Sequence, residues 1–279
     1  TLSIAVDDQG NTGSGGAKTH SGSVAITVNA VNDAPVLTVP GSKSINEDAL
    51  LSITGINVAD VDAAAGAMQI TMSVANGRFS LAQTTSLTFT VGDGASDAAM
   101  TFSGTVANVN AALASVQYLG NANYVGADTL SITIDDQGNT GSGGAKTDSR
   151  PVAITVNAVN DAPVLTVPGA KSVNEDTALS ITGISVADVD AAAGAVQITM
   201  SVANGRFSLA QTTGLTFTVG DGASDSAMTF TGTVANVNTA LATVQYLGNV
   251  NFAGSDTLSI AVDDQGNTGN TKRVAPSEV

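Results

Sequence analysis

The chain has 279 residues, a formal net charge of −15, 43% apolar residues, no cysteine and one histidine. That balance excludes disulfides, thiolate zinc sites and the clustered Lys/Arg needed to hold nucleic acid or an anionic membrane. It is too apolar for a solvated acidic tail; with no Trp and 4% aromatics, its core must come from Val, Ile, Leu, Ala and Thr, which favour strands.

The chain opens in the middle of a repeat. Thr1-Leu2-Ser3-Ile4-Ala5-Val6-Asp7-Asp8 returns at Thr129 and at Thr257, a period of 128 residues. Residues 1–33 therefore read as the C-terminal strands of a preceding repeat, 34–161 as one full repeat and 162–279 as a second. Each repeat is long enough for a core of its own. The expectation is a piece of a longer tandem array. No signal peptide opens the sequence, and no apolar run approaches the ~20 residues of a membrane helix.

Within a repeat, apolar residues alternate with Ser or Thr. Leu37–Val39, Leu51–Ile53, Met68–Val74, Leu87–Val91, Met100–Phe102 and Leu130–Ile134 all follow this period of two. Such segments bury one face and wet the other, as in an antiparallel sheet. Turn chemistry separates them. Asn76-Gly77 predicts a two-residue hairpin turn, and Gly92-Asp93-Gly94 and Asp135-Asp136-Gln137-Gly138-Asn139 predict tight polar loops. One segment departs from the alternation. Val106, Val109, Leu113 and Val116 have helical spacing behind Thr105, which predicts a single short helix over about 106–115 with Thr105 as N-cap. Strands with short turns and one helix predict an all-β fold of tandem β-sandwiches. The last repeat departs at about Asn270. Where earlier copies run Val24-Ala25-Ile26-Thr27-Val28 and Val152-Ala153-Ile154-Thr155-Val156, it has Thr271-Lys272-Arg273-Val274-Ala275-Pro276. Its final strand is expected to be missing.

The halves meet at Val159-Asn160-Asp161-Ala162-Pro163, a copy of Val31-Asn32-Asp33-Ala34-Pro35. Pro fixes φ and biases its predecessor to extended geometry, so a strand ends, carboxylates stand at the seam and a stiff entry follows. Asn46-Glu47-Asp48 and Asp60-Val61-Asp62 follow the first seam motif. Asn174-Glu175-Asp176 and Asp188-Val189-Asp190 are their copies. Taken singly, each acid also reads as an ordinary turn residue.

Together with Asn123-Tyr124-Val125-Gly126-Ala127-Asp128 and Asp136-Gln137-Gly138-Asn139, this set resembles the cadherin-like repeats of giant bacterial adhesins. The resemblance covers essentially the whole chain. It implies Ig/cadherin-like β-sandwich domains that form an extracellular stalk on the bacterial cell surface or in its matrix, with Ca²⁺ in the joints. Carried over residue by residue, the intact joint would use Glu47 from the preceding repeat, Asn160 and Asp161 from the linker, and Asp188 and Asp190 from the following repeat. The upstream joint would use Asp33, Asp60 and Asp62. Glu175 would serve a further repeat. Such oxygen ligands suit a hard cation.

No catalytic constellation is present. His20 stands alone, with Asp148 at its copy. Gly13–Thr19 approaches a phosphate loop, but Ala17 stands where that motif needs Gly, and a strand follows. The partners expected are neighbouring repeats of the same chain, in a calcium-stiffened spacer for cell adhesion or biofilm. A second possibility is an extracellular filament subunit that donates its N-terminal strand to another copy.

Overall fold

The computed structural model describes residues 1–63, 65–191, 194–266 and 277–278. Contacts divide the chain into two units. The first holds Thr1–Lys43, Leu50–Asn121 and Ala127–Thr155; the second holds Ser44–Ala49, Ala122–Gly126 and Val156–Val279. Two loops of the first sequence repeat therefore belong with the linker and the second repeat.

The chain starts as a hairpin of β1 (Leu2–Asp7) and β2 (Thr19–Val24), a two-stranded sheet of its own. The first full repeat follows with β3 (Val36–Thr38), β4 (Lys43–Asn46), β5 (Leu50–Ile53), β6 (Asn57–Ala59), β7 (Ala67–Ser73), β8 (Gly77–Ser80), β9 (Thr88–Val91) and β10 (Ala99–Thr105). It ends with α1 (Val106–Leu113), β11 (Val116–Gly120), β12 (Gly126–Asp135) and β13 (Thr147–Asn157). One layer runs β13-β12-β7-β10-β9. The other is built from β5-β11-β8 and the short pair β3-β6. The alternation fixes the register. Ile70 faces Phe102 on one side and Ile134 on the other, and Met72 faces Met100 and Ile132. All six side chains are buried, while the residues between them, Thr71, Thr101 and Thr133, are exposed or part-exposed.

The predicted helix forms, and the Thr105 hydroxyl accepts from the Asn108 backbone N–H. Val109, Ala112 and Leu113 are buried. Asn110 on the same helix clamps β6, donating to Val58 O and accepting from Val58 N at 2.8 Å each.

The second repeat runs β14 (Val164–Thr166), β15 (Leu179–Ser180), β16 (Ser185–Ala187), β17 (Ala195–Ser201), β18 (Gly205–Leu209), β19 (Thr216–Val219), β20 (Ala227–Thr233), α2 (Val234–Leu241), β21 (Val244–Gly248), β22 (Ser259–Asp263) and β23 (Ser277–Glu278). Its core repeats the first, around Ile198, Met200, Phe230 and Ile260. The expected loss of the last strand rests on Thr271–Pro276, which lie outside the described residues.

One turn expectation is overturned. Asn76-Gly77 does not close a two-residue hairpin, because β7 pairs with β10 and β12 whereas β8 pairs with β11 in the other layer. The segment is a crossing between layers. The Ala75 and Asn76 N–H groups donate to the Asp128 carboxylate at 3.1 and 3.0 Å. Gly77 is needed for space: a Cβ there would stand 2.6 Å from Leu119 O and from the Tyr118 ring.

Candidate metal centre

Both units carry the same arrangement around an Asn-Asp linker pair. In the first, Asn32 is fully buried. Its Nδ2 donates to Asp136 Oδ2 at 2.7 Å and to Gly144 O at 2.9 Å. The Asp33 N–H donates to Asp62 Oδ2 at 2.6 Å. Asp60 Oδ1 caps the local turn by accepting from the Asp62 and Ala63 N–H groups. Among the described residues, two buried oxygens here have no hydrogen-bond partner: Asn32 Oδ1 and Asp60 Oδ2.

In the second unit Asn160 Nδ2 donates to buried Asp264 Oδ2, and the Asp161 N–H donates to Asp190 Oδ2. Asp188 Oδ1 accepts from the Asp190 and Ala191 N–H groups at 2.9 and 3.0 Å. The same unit contains Glu47, which is 6% exposed. Glu47 Oε1 accepts from the Val159 N–H at 2.7 Å, and its own N–H donates to Asn157 O. Glu47 Oε2 and Asp188 Oδ2 are buried without a hydrogen-bond partner among the described residues.

The expected residues thus fall into two linked groups. Glu47, Asn160, Asp161, Asp188 and Asp190 line one linker; Asp33, Asp60 and Asp62 line the other. Glu175 stands apart, as an exposed turn residue. Among the described residues, no three carboxylate or imidazole side chains form a metal-holding group by themselves. Any ion would need the amide and backbone oxygens that Ca²⁺ readily takes. The unpartnered oxygens fit that requirement. A buried carboxylate or amide oxygen left without a donor carries a desolvation cost that a cation would offset.

Several participants escape a reading of the sequence. Asp135-Asp136-Gln137-Gly138-Asn139 reads as a plain polar turn, and Asp135 behaves so, capping the Gln137 N–H at 2.8 Å. Asp136 instead is 1% exposed. Burial pushes its carboxyl up, but the Lys146 and Gly138 N–H groups, the Asn32 amide and the Lys146 charge outweigh that and hold it below the usual carboxylate range. Asp48 and Asn123, both in the left-handed region (φ 55° and 54°), form a second unforeseen pair. With its amide nitrogen facing both carboxylates, Asn123 donates to Asp48 Oδ2 and Asp161 Oδ2 at 3.1 Å each. The pairing of Asn160 with Asp264 copies that of Asn32 with Asp136, so the repeat itself was the available signal.

Other acids are structural. Asp128 accepts from the Ala75, Asn76 and Thr129 N–H groups and from the Tyr118 hydroxyl at 2.9 Å. Asp97 Oδ2 closes the Gly92–Asp97 turn by accepting from the Asp93 and Gly94 N–H groups.

A family model for the Protein GAMETE EXPRESSED 2 domain matches residues 54–142 and 178–273. The chain belongs to that family. The two matched stretches contain Asp60, Asp62 and Asp136, then Asp188, Asp190 and Asp264; the linker pairs and Glu47 lie outside them. No curated protein matches the chain. Among solved structures, human CDH23 EC21-23 is similar at 14% identity over 88% of this chain and 68% of that one, with a TM-score of 0.35. Mouse Cadherin-23 EC22-24 is similar at 16% identity over 94% and 68%, with a TM-score of 0.33. Titin domains I67-I69 are similar at 12% identity over 89% and 65%, with a TM-score of 0.22. Both copies of the domain have an all-β sandwich with one short helix. Among the described residues no helix is long and apolar enough to cross a membrane.

Proposed function

We propose that the chain is a pair of extracellular spacer repeats from a bacterial adhesin, with Ca²⁺ bound at each Asn-Asp linker and stiffening it. The observation that carries this reading is the set of buried, unpartnered oxygens: Glu47 Oε2 and Asp188 Oδ2 at one linker, Asn32 Oδ1 and Asp60 Oδ2 at the other. All four belong to residues in the two linker motifs or the acidic motifs that follow them. A turn needs its acid to cap an N–H, which Asp60 and Asp188 do with one oxygen only. The second oxygen is then left for a ligand. The domain does no chemistry in this reading; its acids hold a linker.

Extracellular calcium modules bind at roughly 10⁻⁴–10⁻³ M. At the tighter end, millimolar calcium stabilises by about 1.4 kcal/mol. For a repeat of this size that is about 5 °C in melting temperature. The test is thermal unfolding with small-angle scattering, in millimolar Ca²⁺ and in excess chelator. The expected outcome is a higher melting temperature and a stiffer particle with calcium. Asp188→Asn keeps the turn-capping oxygen and removes the charge, so it should abolish much of the calcium response while the chelated protein melts nearly as before. A chain whose melting and scattering are indifferent to calcium sinks the reading.

A further inference from the structure

We infer that Asn123 is a positioning residue of the second linker: gripped by Asp48, its side-chain amide turns the Asp161 carboxylate so that Oδ1 is left to the cation. The inference rests on the calcium reading above. It adds Asp48 and Asn123, which act through Asp161 and do not themselves touch the ion.

The carboxylates at this linker share a pattern, in which one oxygen is committed to an N–H group. Glu47 Oε1 accepts from the Val159 N–H at 2.7 Å, Asp188 Oδ1 from the Asp190 and Ala191 N–H groups, and Asp190 Oδ2 from the Asp161 N–H. The backbone supplies all of those donors. Asp161 Oδ2 accepts instead from the side chain of Asn123, at 3.1 Å. In Glu47 and Asp188 the other oxygen is buried without a hydrogen-bond partner among the described residues. Glu47 is 6% exposed, and its orphan oxygen separates this site from a mere cluster of surface acids, because so buried an acceptor is costly without a ligand. Asp161 is half-buried and stands two residues beyond the Val159 that holds Glu47. Holding one oxygen and leaving the other is how the fold prepares Glu47 and Asp188. Asn123 does the same for Asp161.

Asn123 serves because it is itself held. Its backbone N–H donates to Asp48 Oδ1 and its amide to Asp48 Oδ2, both at 3.1 Å. An amide nitrogen has two hydrogens, enough for one carboxylate each; turned over, the amide would set its oxygen against both. The backbone is fixed as well. Asp48 and Asn123 lie at φ 55° and 54°, in the left-handed region that Asn and Asp tolerate better than most residues. The second repeat builds the same grip: the Asn251 N–H donates to Asp176 Oδ1 at 3.0 Å, with both residues again left-handed. Neighbours in the Asn46-Glu47-Asp48 motif thus divide the work. Glu47 offers an oxygen to the ion, and Asp48 orients the group that orients Asp161.

The test uses the 279-residue chain carrying Asp60→Asn, which silences the first linker so that calorimetric titration with calcium chloride reads the second. Asn123→Gly keeps the left-handed backbone and the N–H to Asp48 and removes only the amide. Groups that orient a metal ligand typically cost roughly 10–100-fold in affinity when lost. This amide is exposed, so about a fivefold weakening is expected, with melting in chelator nearly unchanged. Asp48→Asn should weaken binding too, and the double variant should lose less than the product of the two effects. A second readout needs no calcium. In nitrogen–proton NMR spectra taken in chelator, the Asn123 side-chain signals are identified by their loss in Asn123→Gly, and Asp161→Ala should shift them. Signals unmoved by Asp161→Ala overturn the inference. So does a double variant that loses the full product, or an Asn123→Gly chain whose melting falls equally in calcium and in chelator. A parent chain that ignores calcium sinks the spacer reading and this inference together. If the parent binds calcium and Asn123→Gly binds it as tightly, this inference alone falls.

Discussion

Two stretches of nearly the same sequence end in opposite environments. In β12 the residues Leu130, Ile132 and Ile134 are buried; in β1 the matching Leu2, Ile4 and Val6 are exposed, Ile4 at 52% against Ile132 at 1%. Both strands alternate, and both pair with the strand that follows them in the chain. Alternation therefore selects the strand and its two faces, and a second layer is needed before either face is dry. The two repeats differ in the same sense but less. Tyr118 and Asp128 are buried, whereas Tyr246 and Asp256 are part-open.

The sharpest way to break the first comparison is to truncate matched side chains. Leu130→Ala removes a fully buried side chain and is expected to cost about 2–5 kcal/mol, read from chemical denaturation of the first repeat. Leu2→Ala should stay within about 0.5 kcal/mol, as a surface change does. Equal costs would mean that β1 is covered in solution by something that dries it.

The second comparison predicts a smaller gap. Asp128→Ala strands the donors of Ala75, Asn76 and the Tyr118 hydroxyl in a buried site, at about 3 kcal/mol. Asp256→Ala removes the same bonds from Ala203, Asn204 and Tyr246, but water can replace them, so about half that cost is expected. The two unfolding midpoints check this. Equal penalties would show that Tyr246 and Asp256 are shielded from water in solution as fully as Tyr118 and Asp128.

What could be read from the sequence follows the range of the interaction. β7, β10 and β12 were legible because each carries its own alternation, and α1 because its cap and apolar spacing are local. β6 was not: it is three residues long and is held by Asn110, 52 residues away. Asn76-Gly77 misled because its glycine answers to the Tyr118 ring and Leu119 O, not to a turn. In the site, Asp33, Asp60, Asp62 and their copies were visible as motifs. Asp136 and Asp264 were not, because a polar loop gives no sign that an Asn 104 residues earlier will bury its acid. Asn123 was hidden for a similar reason: its left-handed backbone aims an amide at carboxylates far away in the chain.

The smallest effect is the pH dependence of the open pair. Burial, then the hydrogen bond to Asp256 and its charge, push the Tyr246 hydroxyl up to about 12. Burial alone would raise the Asp256 carboxyl, but Tyr246 and the N–H groups of Ala203, Asn204 and Thr257 prevail and lower it. A tyrosine whose folded pKa lies above its unfolded value near 10 contributes stability that is complete below about pH 10 and lost as pH rises towards 12. A depressed carboxylate contributes stability that is complete above its unfolded pKa near 4 and lost as pH falls through its lower folded value. Tyr246→Phe should therefore melt lower than the parent by under about 1 kcal/mol at neutral pH. The gap should be level between about pH 5 and 9 and close at both extremes, on the alkaline side because only the parent has a phenol to ionise. Melting curves of the two proteins from pH 3 to 12 check this. Parallel profiles would mean that the Tyr246–Asp256 bond is not made in solution, and the likeness of this pair to Tyr118–Asp128 would then end at sequence.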